Sequence, residues 1–275
     1  MTTKAPSIIS LGAGTQSTAM VVLAAQGRLG IDIDAAVFAK VGDDSERPHT
    51  MHYLREVLTP WAAERGLPVH EVYRTDQHGK RWTSLLDHST SDDNKSISIP
   101  ARMPEGMPGK RSCTADWKIG VVSKWLKQHG ATKANPATVC IGISTDEAER
   151  AGPRHKIPTE VVEYPLIDLR LNRNDCTRII REAGLPDPGK SACFYCPFQS
   201  PRSWAEMRRD DPAMFDAGQD IEDALNRKRQ RLGHNPVYLT RYGKRLSDAI
   251  HTAEPTLFPS TGEDTEGCDT GGCFT

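Results

Sequence analysis

Two groups of residues in this chain have the types and spacing to do chemistry. The first is Ser10-Leu11-Gly12-Ala13-Gly14-Thr15-Gln16-Ser17-Thr18, set between an apolar run, residues 7–11, and an apolar helical pattern, residues 19–25. A strand that turns through glycines into a helix leaves free N–H groups at the positive helix end, a cup for an anion. The expected occupant is a nucleotide phosphate, contacted by Ser10, Gly12, Gly14, Gln16, Ser17 and Thr18. Neither of two common phosphate loops fits. No Gly-Lys-Ser/Thr follows the second glycine, and Ser17 stands where G-x-G-x-x-G needs its third. An ordinary strand–helix turn, with glycines for steric room, is the competing reading.

The second group is Cys193-Phe194-Tyr195-Cys196-Pro197. Two intervening residues let both thiolates face one metal. Such a pair supplies two ligands, and Cys113, Cys268 and Cys273 are the candidates to complete the set. All-thiolate sites suit Zn²⁺ and iron–sulfur clusters alike, so spacing leaves both open, with redox-active or free thiols as a third reading. Cys140 and Cys176 fall within apolar strand and helix patterns and read as small buried hydrophobes. Lys110, Arg111 and Lys118 flank Cys113; they would lower its pKa or bind a phosphate or sulfate.

Other candidates sit where strands end. Ser144, Asp146, Glu147 and Arg150 follow a strand pattern. There a carboxylate can hold Mg²⁺ and an arginine can neutralise phosphate charge, although an acidic first turn behind an N-cap looks the same. Asp43 and Asp44, after the second strand, are placed to meet a ribose or a metal. Arg227-Lys228-Arg229-x-Arg231 and Arg241-Tyr242-Gly243-Lys244-Arg245 suit a nucleic-acid backbone or, equally, solvated helix ends.

The elements that must position these residues follow from patterning. Strand-like runs at 35–39, 69–73 and 138–143 alternate with helix-like segments at 48–65 and 114–128. That alternation predicts an α/β fold: an open, mostly parallel twisted sheet with helices on both faces and ligands at the strands' carboxyl ends. Residues 1–186 would form this domain, and residues 187–275, with helices near 202–209 and 221–231, a helical, cysteine-bearing C-terminal region. Segment 88–111, rich in Ser, Asp, Pro and Gly, reads as a mobile loop long enough for a substrate lid. With 275 residues and a net charge of −1, nothing calls globally for nucleic acid. The chain reads as cytoplasmic: it shows no signal-peptide pattern and no membrane span, and its seven cysteines suit metal or catalytic work better than disulfides.

The first group resembles the pyrophosphate loop, Ser-x-Ser-Gly-Gly-x-Asp-Ser, of the adenine-nucleotide alpha-hydrolase superfamily, in particular its phosphoadenylylsulfate-reductase-like branch. Ser10, Gly14 and Ser17 match; Gly12 replaces serine, Ala13 glycine and Gln16 aspartate. Cys113-Thr114-x-x-x-Lys118, Lys190-Ser191-Ala192-Cys193-x-x-Cys196-Pro197-Phe198, Gly142-Ile143-Ser144-x-Asp146-Glu147-x-x-Arg150 and Tyr164-Pro165-Leu166 extend the resemblance over nearly the whole chain. It implies ATP with Mg²⁺ over the loop, with Asp43 and Ser144 among the binding residues. It also implies a [4Fe–4S] cluster on Cys113, Cys193 and Cys196 with a terminal ligand such as Cys268, zinc being the alternative. The expected enzyme is an ATP pyrophosphatase that adenylates an acceptor, such as a nucleic acid, and transfers sulfur with a donor protein. Its candidate catalytic residues are Cys113, Asp146, Arg150 and Cys273. Reduction of an adenylylated sulfate with a thiol reductant is one rival. A non-catalytic nucleotide- or nucleic-acid-binding protein with a structural metal is the other.

Overall fold

The computed structural model describes residues 4–75, 84–153 and 156–250. Five strands form one all-parallel sheet: β1 Ser7–Leu11, β2 Ala35–Lys40, β3 Val69–Tyr73, β4 Ala137–Ile141 and β5 Glu160–Glu163, in the order β3-β2-β1-β4-β5. Ser10 of β1 pairs with Val37 on one side and Ile141 on the other, so β1 is central. The order reverses between β1 and β4, and the crevice beyond their carboxyl ends is where open α/β sheets bind ligands.

The helices are α1 Thr15–Ala25, α2 Pro48–His52, α3 Thr59–Ala63, α4 Leu85–Thr90, α5 Ser112–Thr114, α6 Gly120–Gln128, α7 Pro165–Asp168, α8 Arg173–Glu182, α9 Pro201–Asp210, α10 Pro212–Arg231 and α11 Leu246–Ala249. A wide π-helical turn, Tyr53–Leu58, joins α2 to α3, and another, Ala115–Ile119, joins α5 to α6. Each trio makes one continuous helical run, matching the expected helices at 48–65 and 114–128.

Strand residues alternate between two cores, as the two-residue period of a strand requires. Ile9, Leu11, Ala36, Phe38 and Cys140 pack against α1, α2–α3 and α8. Ile8, Val37, Ala39 and Val139 pack against Val121, Val122 and Leu126 of α6. Both faces are therefore covered, as expected of a parallel sheet. Cys140 and Cys176 are fully buried small hydrophobes, and burial pushes each thiol up to about 12.

A further core joins Val41, Leu85, Ile99 and Trp117 to Tyr195, Trp204, Phe215, Leu225 and Leu239. It draws on both sides of residue 186. Segment 88–111 is part of this core rather than an open lid. Ile99 and Ala101 are buried, and Arg102 bridges to Tyr238 through backbone hydrogen bonds. Two buried ions of α10 hold the surrounding loops. Lys228 Nζ donates to the carbonyls of Ser89 (3.1 Å) and Ser96 (2.8 Å) and to Asn94 Oδ1 (3.2 Å). Glu222 accepts the N–H groups of Leu239 (2.8 Å) and Leu246 (2.9 Å). In the same basic run, Arg229 binds the Asn235 carbonyl and Arg231 pairs with Asp92. Arg245 likewise pairs with Glu222 and Asp223.

Candidate functional site

The glycine turn lies at the carboxyl end of β1, at the sheet's switch point. Gly14 is the N-cap of α1, in extended conformation (φ −98°, ψ 177°), and no acid occupies the helix's first turn. Leading N–H groups of a helix have no helical carbonyl to bind, so this end carries unspent donors and positive dipole charge. Ser17 Oγ accepts the Gly12 N–H (3.2 Å) and donates to the Gly14 carbonyl (3.2 Å), which closes the bend. Ala13 adopts φ 55°, a left-handed conformation that costs a non-glycine residue about 1 kcal/mol. Strain of this kind collects at sites of function.

Ser10, Gly12, Gly14, Gln16 and Ser17 line one pocket together with Gly142, Arg150 and Ser191. The chain leaving β4 runs directly beneath α1: a Cβ on Gly142 would lie 2.9 Å from the Ser17 nitrogen. Thr18 and Ser144 are completely buried, and among the described residues neither hydroxyl has a hydrogen-bond partner.

The carboxylates separate. Glu147 is buried, accepts from Gln16 Nε2 (3.4 Å) and pairs with Arg150. Burial pushes its carboxyl above the ordinary range, while Arg150 pulls it down. Asp146 is exposed and faces the other way, accepting the Arg173 N–H (3.2 Å) at the start of α8, whose positive end favours an anion. Asp43, also exposed, is held by Lys40 (2.5 Å) and Arg55 (3.3 Å) outside the pocket. Asp44 accepts from Ser84 Oγ (2.7 Å) and Ser45 Oγ (3.1 Å).

Cys113, Cys193 and Cys196 line a second cavity, mostly apolar, with Lys118, Arg111, Tyr195 and Phe198 in its wall. Cys113 comes from the short α5. The Cys193 carbonyl accepts the Cys196 N–H (3.1 Å), folding the C-x-x-C into a turn. Arg111 and Arg102 lie over the Phe198 ring at 4.9 and 5.2 Å. Soft thiolates in an apolar cavity are the donor type that zinc and iron–sulfur centres take. Among the described residues the thiols do not close into a finished ligand set. Cys268 and Cys273 lie outside the described residues.

The two sites adjoin through residues 188–191. His49 Nε2 lies 3.1 Å from the Pro188 carbonyl, and Thr50 Oγ1 donates to that of Lys190 (3.4 Å). Ser191 is thereby pressed onto the glycine turn: a Cβ on Gly14 would come within 2.7 Å of its Oγ. Cys193 follows two residues later. Ser191 and Gly142 are site residues that pattern reading passed over, although each stands within a stretch already singled out.

An open parallel α/β protein with a glycine-lined pocket at its switch point, and a thiol-lined cavity reached along the same stretch of chain, is what the fold and site define. No protein-family model matches the chain, and no curated protein matches it significantly. No described helix is long and apolar enough to cross a membrane.

Proposed function

We propose that this protein is a PP-loop enzyme of the phosphoadenylylsulfate-reductase-like kind, which binds ATP over the Gly12–Ser17 turn and adenylates an acceptor for sulfur transfer. One observation carries the reading: Ser191 lines the glycine-turn pocket beside Gly14, and Cys193, two residues on, lines the thiol cavity, so one short stretch of chain joins the two. An acceptor oxygen attacks the α-phosphorus, the bond to the bridging oxygen breaks, and pyrophosphate leaves. First-turn N–H groups hold the phosphates, and Arg150 offsets charge on the transferring group. Glu147, which accepts from Gln16 at the loop position where the resembled pattern has aspartate, is the carboxylate that would help to hold Mg²⁺. Cys113, Cys193 and Cys196 are the chain's ligands toward an iron–sulfur or zinc centre. When bound, such a centre supplies sulfur or electron chemistry beside the adenylate.

The test pairs two measurements on anaerobically purified protein. ATP binding should be lost in Gly14→Val, whose added atoms collide with Ser191, and retained in Cys196→Ser. Stoichiometric iron and sulfide, or zinc, should be lost in Cys196→Ser. Undiminished ATP affinity in Gly14→Val overturns the loop assignment, and a metal-free wild type overturns the centre. Acceptor-dependent pyrophosphate release would then separate adenylation from sulfite formation and from binding without turnover.

A further inference from the structure

A pocket on the far side of Pro197 from the thiol cavity has no role in this chemistry. Its floor is the N-terminal end of α9, where Ser200 caps the helix by accepting the Ser203 N–H and Pro201 opens the first turn. Its walls carry Arg102 and Arg241, and among the described residues no carboxylate lines it. Two of the residues lining it carry buried donors that are unspent. Trp204 is 1% exposed and Thr240 4% exposed, and neither Trp204 Nε1 nor Thr240 Oγ1 has a hydrogen-bond partner among the described residues. An unmade buried hydrogen bond is costly, so two lining one pocket mark a place where a ligand completes the set.

The pocket is also rigidly built. The benzo edge of Trp204 packs on Gly218, where a Cβ would meet Cζ3 at 3.4 Å. Gly106 and Gly243, both in the left-handed region, let the turns at 103–107 and 241–243 approach closely: a Cβ on Gly106 would lie 2.6 Å from the Arg241 carbonyl. Arg241 is thereby fixed at the rim, next to Tyr242, a residue 47% exposed.

Helix dipole, two guanidinium residues, an indole N–H and a hydroxyl converge on one kind of ligand. We propose that this pocket is a second oxyanion site, separate from the glycine turn, which takes a tetrahedral phosphate or sulfate group through Trp204, Thr240, Arg102 and Arg241. The exposed Tyr242 ring gives an aromatic ester of that anion something to stack on.

The probe is inorganic phosphate, read by the indole N–H resonance of Trp204 in the full-length protein and identified by its loss in Trp204→Phe. Phosphate should shift this resonance saturably, whereas chloride at matched ionic strength should not. Thr240→Val, near-isosteric and therefore mild on the fold, and Arg241→Ala should each weaken phosphate about tenfold. Gly14→Val should leave this response intact, so failure here and failure of the ATP reading are told apart. Phenyl phosphate binding more tightly than phosphate, with the difference lost in Tyr242→Ala, marks an ester as the ligand; equal binding marks the free ion. A resonance that moves no more in phosphate than in chloride, or that titrates in Thr240→Val and Arg241→Ala as it does in the wild type, overturns the proposal.

Discussion

Asp146 and Glu147 are neighbours of the same chemical type with opposite fates. The first caps α8 from the surface; the second is buried against Gln16 and Arg150. Residue type and strand-end location were visible in the sequence, but which carboxylate turns inward depends on the tight turn at 145–150, which a single chain does not display. Titration gives the buried one a signature. A carboxyl whose pKa is higher in the folded than in the unfolded chain contributes its stability fully below the unfolded value. That contribution is lost as pH rises through the folded one. Glu147 belongs to this class because burial outweighs Arg150. Against Glu147→Gln, which does not titrate, the wild type should therefore lose ground in melting temperature as pH rises above the ordinary carboxylate range. Parallel pH profiles for the two proteins would contradict the burial. The same substitution should weaken Mg²⁺-dependent ATP binding while sparing metal-free nucleotide contact.

Among the elements, the sheet was the most legible. Apolar runs at the first, second and fourth strands have the continuous character of strands buried on both faces, and their spacing with helices fixes parallel pairing. The edge strand β5, Glu-Val-Val-Glu, is only four residues long with acids at both ends, so it carries little signal of its own. Segment 88–111 misled for a related reason. Its composition is that of a loop, but Ile99, Ala101 and Arg102 are buried by distant partners that composition does not reveal. Lys228 is the sharpest case: it sits in a basic run on a helix end, yet it is 1% exposed and ties three loop oxygens together. Lys228→Met should destabilise the protein by about 2 kcal/mol in chemical denaturation, because those oxygens lose their donor in a buried place. Arg227→Ala, exposed on the same helix, should cost under about 0.5 kcal/mol. Equal effects would show that the buried ammonium holds nothing.

At the scale of the molecule, the C-terminal helices do not simply follow the α/β unit; they complete it. Val41, Leu85, Ile99 and Trp117 find their apolar partners beyond residue 186. A fragment of residues 1–186 should accordingly lose cooperative thermal unfolding and bind hydrophobic dyes, whereas the full chain melts in one transition. A sharp, wild-type-like melt of that fragment would refute shared packing. The helical run Ser112–Gln128 spans this divide. Cys113 stands at one end, Trp117 is locked in the C-terminal core, and Val121, Val122 and Leu126 brace the underside of the central strands. Such a rod runs from the wall of the thiol cavity to the strands that carry the glycine turn. If ligands fill both, whatever factor one adds to the other's affinity must be returned in equal measure.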